Sequence, residues 1–349
     1  MTNIFTGERV DFASPAERSA PVRVSRPMDG QPELFDRGPA APVDVAPEAA
    51  RHRSTAARIP STIRLGTSSW SFPGWAGRVY DRAVSTQILA RQGLGAYARH
   101  PLLRTVGVDR SYYESLPERA WSEYARSVPD DFRFVVKAER TLVTPGEPGF
   151  LDADGALDRV IGPVTSGLGS RLGAILFQFP PSPSAACGGP RRFAEQLYRF
   201  LQRIPATVPK AVEIRTPGWY TEDYRAALKH GHASHGWVLH PRMASLERQR
   251  ELGPPDPEGP TVIRWMLAPG STYEGARDAW TPFDRIRAED THARRTTADL
   301  ALEASAAGGR VYVVINNKAE GSAPASVEAL ARVLATAGDP PENEDAPEP

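Results

Sequence analysis

Six polar side chains, Asp109, Lys137, Gln178, Glu213, Arg264 and Asn316, occur at equivalent places in the sequence, each at or near the end of a short β-branched run. Stability alone would not put such groups there, because each would need a buried partner. Glu213 and Lys137 are the candidate acid–base pair, with Asp109 as auxiliary, since burial raises a carboxylate pKa and lowers an ammonium pKa. Paired with each other they would both stay charged and form a structural plug instead. A Schiff base on Lys137 is a further option, and it requires a neutral amine held away from carboxylates.

Arg215 and Arg264 offer forked donors for a phosphate or carboxylate, while Gln178, Asn316 and Asn317 offer neutral amides suited to hydroxyls. Ser68 shares the inward parity of the first run and joins this binding set. Trp70, Tyr113 and Trp219, at or just beyond run ends, could stack on a sugar or a base, or pack beneath loops. Together these residues suit a small polar or anionic ligand.

His230, His232 and His235 look like a metal cluster but precede the sixth β-run, at the end opposite the expected site. His240, closing that run, is better placed. Cys187 has no evident base beside it. Neither a phosphate-loop motif nor H-E-x-x-H nor G-x-S-x-G occurs, so a metal-independent, cofactor-free site is expected.

The elements that must position these groups are eight β-runs, at residues 63–68, 104–109, 132–137, 172–179, 211–215, 236–240, 262–266 and 310–316. Helical stripes fall between them: Trp121, Tyr124, Ala125 and Val128 after Pro117; Phe193, Leu197, Phe200, Leu201 and Ile204; Tyr224, Ala227 and Leu228 between a Thr221 cap and Gly231; and Val327, Leu330, Ala331 and Leu334. A helix near residues 88–97 is interrupted by Gly93 and Gly95. Strand then helix, repeated eight times, matches an α/β TIM-like (β/α)8 barrel, with a doubly wound open sheet as the alternative. Parity fits the barrel: Val106, Val108, Phe134, Val136, Ile175, Phe177, Val212 and Ile214 face helices, which turns Asp109, Lys137, Gln178 and Glu213 inward.

The 349 residues are 40% hydrophobic and 24% charged, with 42 basic side chains against 42 acidic ones, so a globular chain without a whole-protein field for nucleic acid is expected. One cysteine excludes an intrachain disulfide framework, and no apolar run suits a membrane span or secretory signal. A cytoplasmic protein is the default. Residues 1–60, rich in Pro, Ala, Arg and Asp, read as a disordered arm, residues 61–337 as the barrel domain, and residues 338–349 as a disordered acidic tail.

Across residues 61–336 the chain resembles the YecE-like family, bacterial "domain of unknown function 72" proteins. The resemblance rests on Gly66-Thr67-Ser68-Ser69-Trp70 with Trp75 and Tyr80, Tyr112-Tyr113, Phe132-Arg133-Phe134-Val135-Val136-Lys137-Ala138, and Leu176-Phe177-Gln178-Phe179-Pro180-Pro181. It continues in Val212-Glu213-Ile214-Arg215 with Trp219, and in Asn316-Asn317 followed by Gly321-Ser322-Ala323-Pro324. It implies a TIM-like barrel and no established reaction. Many relatives end the second strand with Glu-Ile-Asn, where this chain has Gly107-Val108-Asp109, leaving Asp109 as the only substitute on that face.

In the arm, Gln31-Pro32-Glu33-Leu34-Phe35 resembles the Q-x-x-L-F peptide by which bacterial replication and repair proteins dock on the sliding clamp. Leu34 and Phe35 would fill apolar pockets while the Gln31 amide fixes register; the plainer reading is an apolar pair in a solvated arm. The leading expectation is an enzyme acting on a small polar or phosphorylated substrate at the carboxyl end of the barrel, possible chemistries being hydrolysis, lyase or isomerase. A nucleic-acid-associated barrel recruited by the arm and a non-catalytic binding barrel are the alternatives.

Overall fold

The computed structural model describes residues 41–182 and 187–337, so the Gln31–Phe35 peptide and the acidic tail lie outside the described residues. Eight parallel strands close into a barrel in sequence order. They are β1 (Ile63–Thr67), β2 (Leu103–Val108), β3 (Arg133–Lys137), β4 (Leu172–Phe179), β5 (Lys210–Ile214), β6 (Ser234–Leu239), β7 (Pro260–Trp265) and β8 (Arg310–Ile315). A helix follows each strand: Thr86–Arg99, Glu118–Arg126, Gly162–Leu168, Pro190–Gln202, Glu222–His230, the short Leu246–Arg250, Thr291–Ala306 and Ala323–Thr336. None of the described helices is long and apolar enough to cross a membrane.

The local signals explain these elements. Thr221 accepts the Tyr224 amide at 3.2 Å as the cap of its helix. Ser85 does the same for Ile88 at 3.3 Å, which starts the Thr86–Arg99 helix despite its two internal glycines. At Gly93 the helix packs closely on the core, where an added Cβ would lie 3.3 Å from the Leu89 side chain and 3.4 Å from the buried Tyr80 ring. Outward strand residues such as Val106, Val108, Phe134, Val136, Ile175, Phe177, Val212 and Ile214 join the helices in one large apolar cluster. Inward residues Val135, Ala174, Leu176, Ala211, Val262, Tyr312 and Val314 form a separate cluster inside the barrel. That plug divides the interior into two unconnected ends. Gly66 and Gly107 keep it narrow: a Cβ on Gly66 would lie 1.8 Å from the Thr105 carbonyl oxygen.

The expected arm ends earlier than composition suggests. Residues from Pro42 onward belong to the compact unit. Pro47–His52 is a 3-10 helix and Arg53–Arg58 a short α-helix. Val43, Ala46, Ala49 and His52 are buried, and the Ala46 amide donates to the Val79 carbonyl at 3.0 Å. A three-residue spacing of one Val and two Ala is too weak an apolar signal to stand out among prolines and arginines.

Candidate functional site

At the carboxyl ends of the strands, Ser68, Asp109, Lys137, Gln178, Glu213, Arg264 and Asn316 converge as parity requires. All are buried except Asp109, which is about one-third exposed. Glu213 is fully buried; it accepts Arg215 Nε at 2.7 Å and Arg264 Nη1 at 2.8 Å. Burial alone would raise its carboxyl, but the charges and hydrogen bonds of Arg264 and Arg215 outweigh that and hold it at about 2. Glu213 is therefore a permanent anion that positions two guanidinium groups, and the sequence-based expectation of a general base does not fit it. Arg264 also reaches Asp109 at 3.8 Å, and these carboxylates keep it charged despite complete burial.

Lys137 pairs with neither carboxylate directly. Its Nζ rests 3.7 Å from the centroid of the Tyr112 ring. Burial brings its pKa from the ordinary 10.5 down to about 8, with Asp109 pulling up and Arg264 and Arg215 pushing down. Ser111 fixes the local geometry by donating to the carbonyls of Val108 at 3.0 Å and Lys137 at 2.6 Å, which ties β2 to β3.

Sequence reasoning missed a second lysine of the same kind. Lys318 Nζ lies 3.9 Å from the Tyr273 centroid and 5.3 Å from that of Phe283. Burial, then Arg277, brings it to about 8, while Asp109 and Glu274 act in the opposite sense. Lys318 follows the strand rather than ending it, so strand parity gave no signal; the Asn316-Asn317-Lys318 run was the available one. Asn316 bends this stretch inward, accepting the Lys318 amide at 3.0 Å and donating to Ser68 Oγ at 2.9 Å. His240 also faces Arg215 and Glu213, and burial, then Arg215, lowers it to about 4. Its Nδ1 accepts the Arg242 amide at 3.2 Å, so the neutral ring keeps its proton on Nε2.

Three expected ligand-contact residues pack into the fold, with Trp219 Nε1 and Asn317 Nδ2 left without a hydrogen-bond partner among the described residues. Trp70 is buried edge-on against Tyr124 and donates Nε1 to the Leu89 carbonyl at 3.2 Å. Trp219 stacks on Phe193 with ring centroids 4.4 Å apart. Asn317 spends its side-chain oxygen on Trp75 Nε1 and the Ala323 amide, at 3.2 and 2.8 Å. Each lies just past a strand, where the chain turns outward over the helices, and strand parity no longer applies. Tyr113, half exposed, remains at the rim.

The histidines near β6 are not grouped as metal ligands among the described residues, and His235 is half-buried, bonded to Tyr224 and Gln249 at 3.1 and 3.2 Å. Elsewhere His52, His100 and Glu328 bring ligand-capable atoms within 4.8 Å of one another. Arg51 and Arg78 already pair with Glu328, so countercharge is supplied there by arginine.

Comparison with known proteins agrees with this architecture. The family model described as "Protein of unknown function DUF72" matches residues 64–349. The UPF0759 protein YunF of Bacillus subtilis is 24% identical over 168 residues, a stretch spanning 47% of this chain and 56% of that protein. Among solved structures, a DUF72 family protein from Thermotoga maritima aligns with a TM-score of 0.54 at 21% identity, covering 78% of this chain and 98% of that one. One from Enterococcus faecalis aligns at 0.51 and 19% identity, covering 78% and 95%. With the eight-stranded barrel and the family model extending over nearly all of it, the chain belongs to the DUF72 family of proteins of unknown function.

Proposed function

We propose that the carboxyl-end mouth binds a small anionic metabolite, phosphorylated or carboxylated, and that Lys137 transfers a proton to or from it. The observation that carries this reading is the pair of buried lysines, Lys137 and Lys318, which rest on aromatic faces and form no ion pair with a carboxylate among the described residues. A buried ammonium without a counterion is costly, and an incoming anion would offset that cost. Arg215 and Arg264 are already engaged by Glu213, so they supply field and hydrogen bonds without collapsing onto the ligand. A pKa of about 8 leaves Lys137 able to give or accept a proton near neutrality. Asp109, facing both Lys137 and Arg264, is the auxiliary carboxylate. Gln178, Asn316 and Tyr113 would meet neutral parts of the ligand.

Native mass spectrometry of the purified chain, beside the Lys137→Gln/Lys318→Gln variant, tests this reading. A retained anionic compound in the parent and its loss from a folded variant are expected. Equal retention by both, or a neutral or cationic retained compound, would remove the proposal. The clamp-binding role of Gln31, Leu34 and Phe35 is a separate proposal resting on the peptide alone; clamp capture unaffected by Leu34→Ala/Phe35→Ala would end it.

A further inference from the structure

The opposite end of the barrel carries a cavity of about 950 Å³. One wall holds four arginines, Arg64, Arg104, Arg133 and Arg310, from the starts of four consecutive strands around the barrel, β8, β1, β2 and β3. The lining also includes the apolar side chains of Leu157, Ile161, Leu172 and Val208, together with Thr165 and Ser170. The interior plug, with Tyr312 at this end, separates the cavity from the mouth.

The charges are poorly balanced. Asp131 accepts Arg104 at 2.7 and 3.2 Å. Among the described residues, Arg64 donates only to the Asp131 backbone carbonyl, at 3.0 Å, and Arg133 only to the carbonyls of Asp130 and Phe132, both at 2.8 Å. Arg310 makes no side-chain hydrogen bond or ion pair among the described residues. Burial, then Arg133 and Arg104 against the opposing pull of Tyr312 and Asp131, lowers the Arg64 pKa. This end of such a barrel ordinarily serves stability, and like charges gathered around a half-buried hollow do not. The backbone beside the apolar lining is also unusual: Leu157–Ile161 forms a π-helical turn, which widens the helix where Leu157 and Ile161 meet the cavity.

We infer that this cavity is a second ligand site, for a phosphorylated small molecule with an apolar or ring-shaped body, its phosphates on the arginine wall and its body against Leu157, Ile161, Leu172 and Val208. Several guanidinium groups with free donors match a multivalent oxyanion, and the apolar lining distinguishes the site from one for bare phosphate. The site shares no residue with the mouth and does not depend on the function proposed there.

The test is calorimetric titration of the full chain with ADP, adenosine, inorganic phosphate and a single-stranded oligonucleotide. One ADP per chain is expected, bound more tightly than phosphate or adenosine and more weakly as salt rises. Arg64→Gln and the exposed, fold-neutral Arg310→Gln should each weaken ADP by about tenfold, the loss of one charge-assisted hydrogen bond. Lys137→Gln/Lys318→Gln should leave ADP binding unchanged. Unaltered affinity in both arginine variants, no ADP binding, or phosphate binding as tightly as ADP would overturn the inference. An oligonucleotide that binds more tightly than ADP and is lost in Arg310→Gln would replace it with a nucleic-acid surface.

Discussion

Glu213→Gln separates a positioning carboxylate from a catalytic base. In the parent chain the Glu213 carboxyl sits at about 2 against an ordinary 4.5, and at about 1.4 kcal/mol per pKa unit that depression corresponds to about 3 kcal/mol of stability at pH 7. The substitution also leaves Arg264, 3% exposed, with Asp109 at 3.8 Å as its remaining countercharge, and breaking a buried pair from one side costs about 3–5 kcal/mol. Because the folded pKa is the lower one, the stabilisation is complete above the unfolded value near 4.5 and is lost as pH falls through 2. Urea unfolding of parent and variant should differ by about 3 kcal/mol at pH 7, and by less than half of that at pH 3. A variant as stable as the parent at pH 7, or a difference unchanged between pH 7 and pH 3, would refute the assignment.

Lys137→Met should act with the opposite sign. The folded ammonium titrates near 8 rather than 10.5, so its charge opposes folding below pH 8 and that penalty disappears as pH rises toward the unfolded value. The variant is expected to gain about 1–3 kcal/mol at pH 7, an advantage that fades by pH 10 in thermal unfolding, while losing any mouth ligand. Trp219→Ala should cost about 3–5 kcal/mol through its lost stack on Phe193, with native mass spectrometry showing the same retained ligand in the fraction that folds. Gly66→Ala, whose Cβ would lie 1.8 Å from the Thr105 carbonyl oxygen, should leave no soluble folded protein on gel filtration. A chain starting at residue 61 should melt below one starting at residue 41, because only the second keeps Val43, Ala46 and Ala49 in the core.

The barrel was legible because strand parity is a strict physical period. Val106, Phe134, Ile175 and Val212 must meet helices, and that alone turned Asp109, Lys137, Gln178 and Glu213 to one interior, where they are found. Partner choice was not legible. Glu213 could face Lys137 or the arginines from strand order alone, and only side-chain reach joined it to Arg215, two positions on, and Arg264, two strands away. Trp70, Trp219 and Asn317 lie past the last paired residue, where the chain leaves the sheet and alternation stops carrying information. Lys318 was hidden for the same reason. The arginines at the other end stand as single charges near the starts of four strands, a spacing that no local sequence motif marks.

The claim that Lys137 and Lys318, which form no ion pair among the described residues, await an anion is tested most directly by NMR titration of the lysine side-chain nitrogens, with Lys137→Gln and Lys318→Gln assigning their two signals. In ligand-free protein both should titrate near 8 and move upward when an anion binds the mouth. Titration of either lysine at its ordinary 10.5 in ligand-free protein would contradict the account.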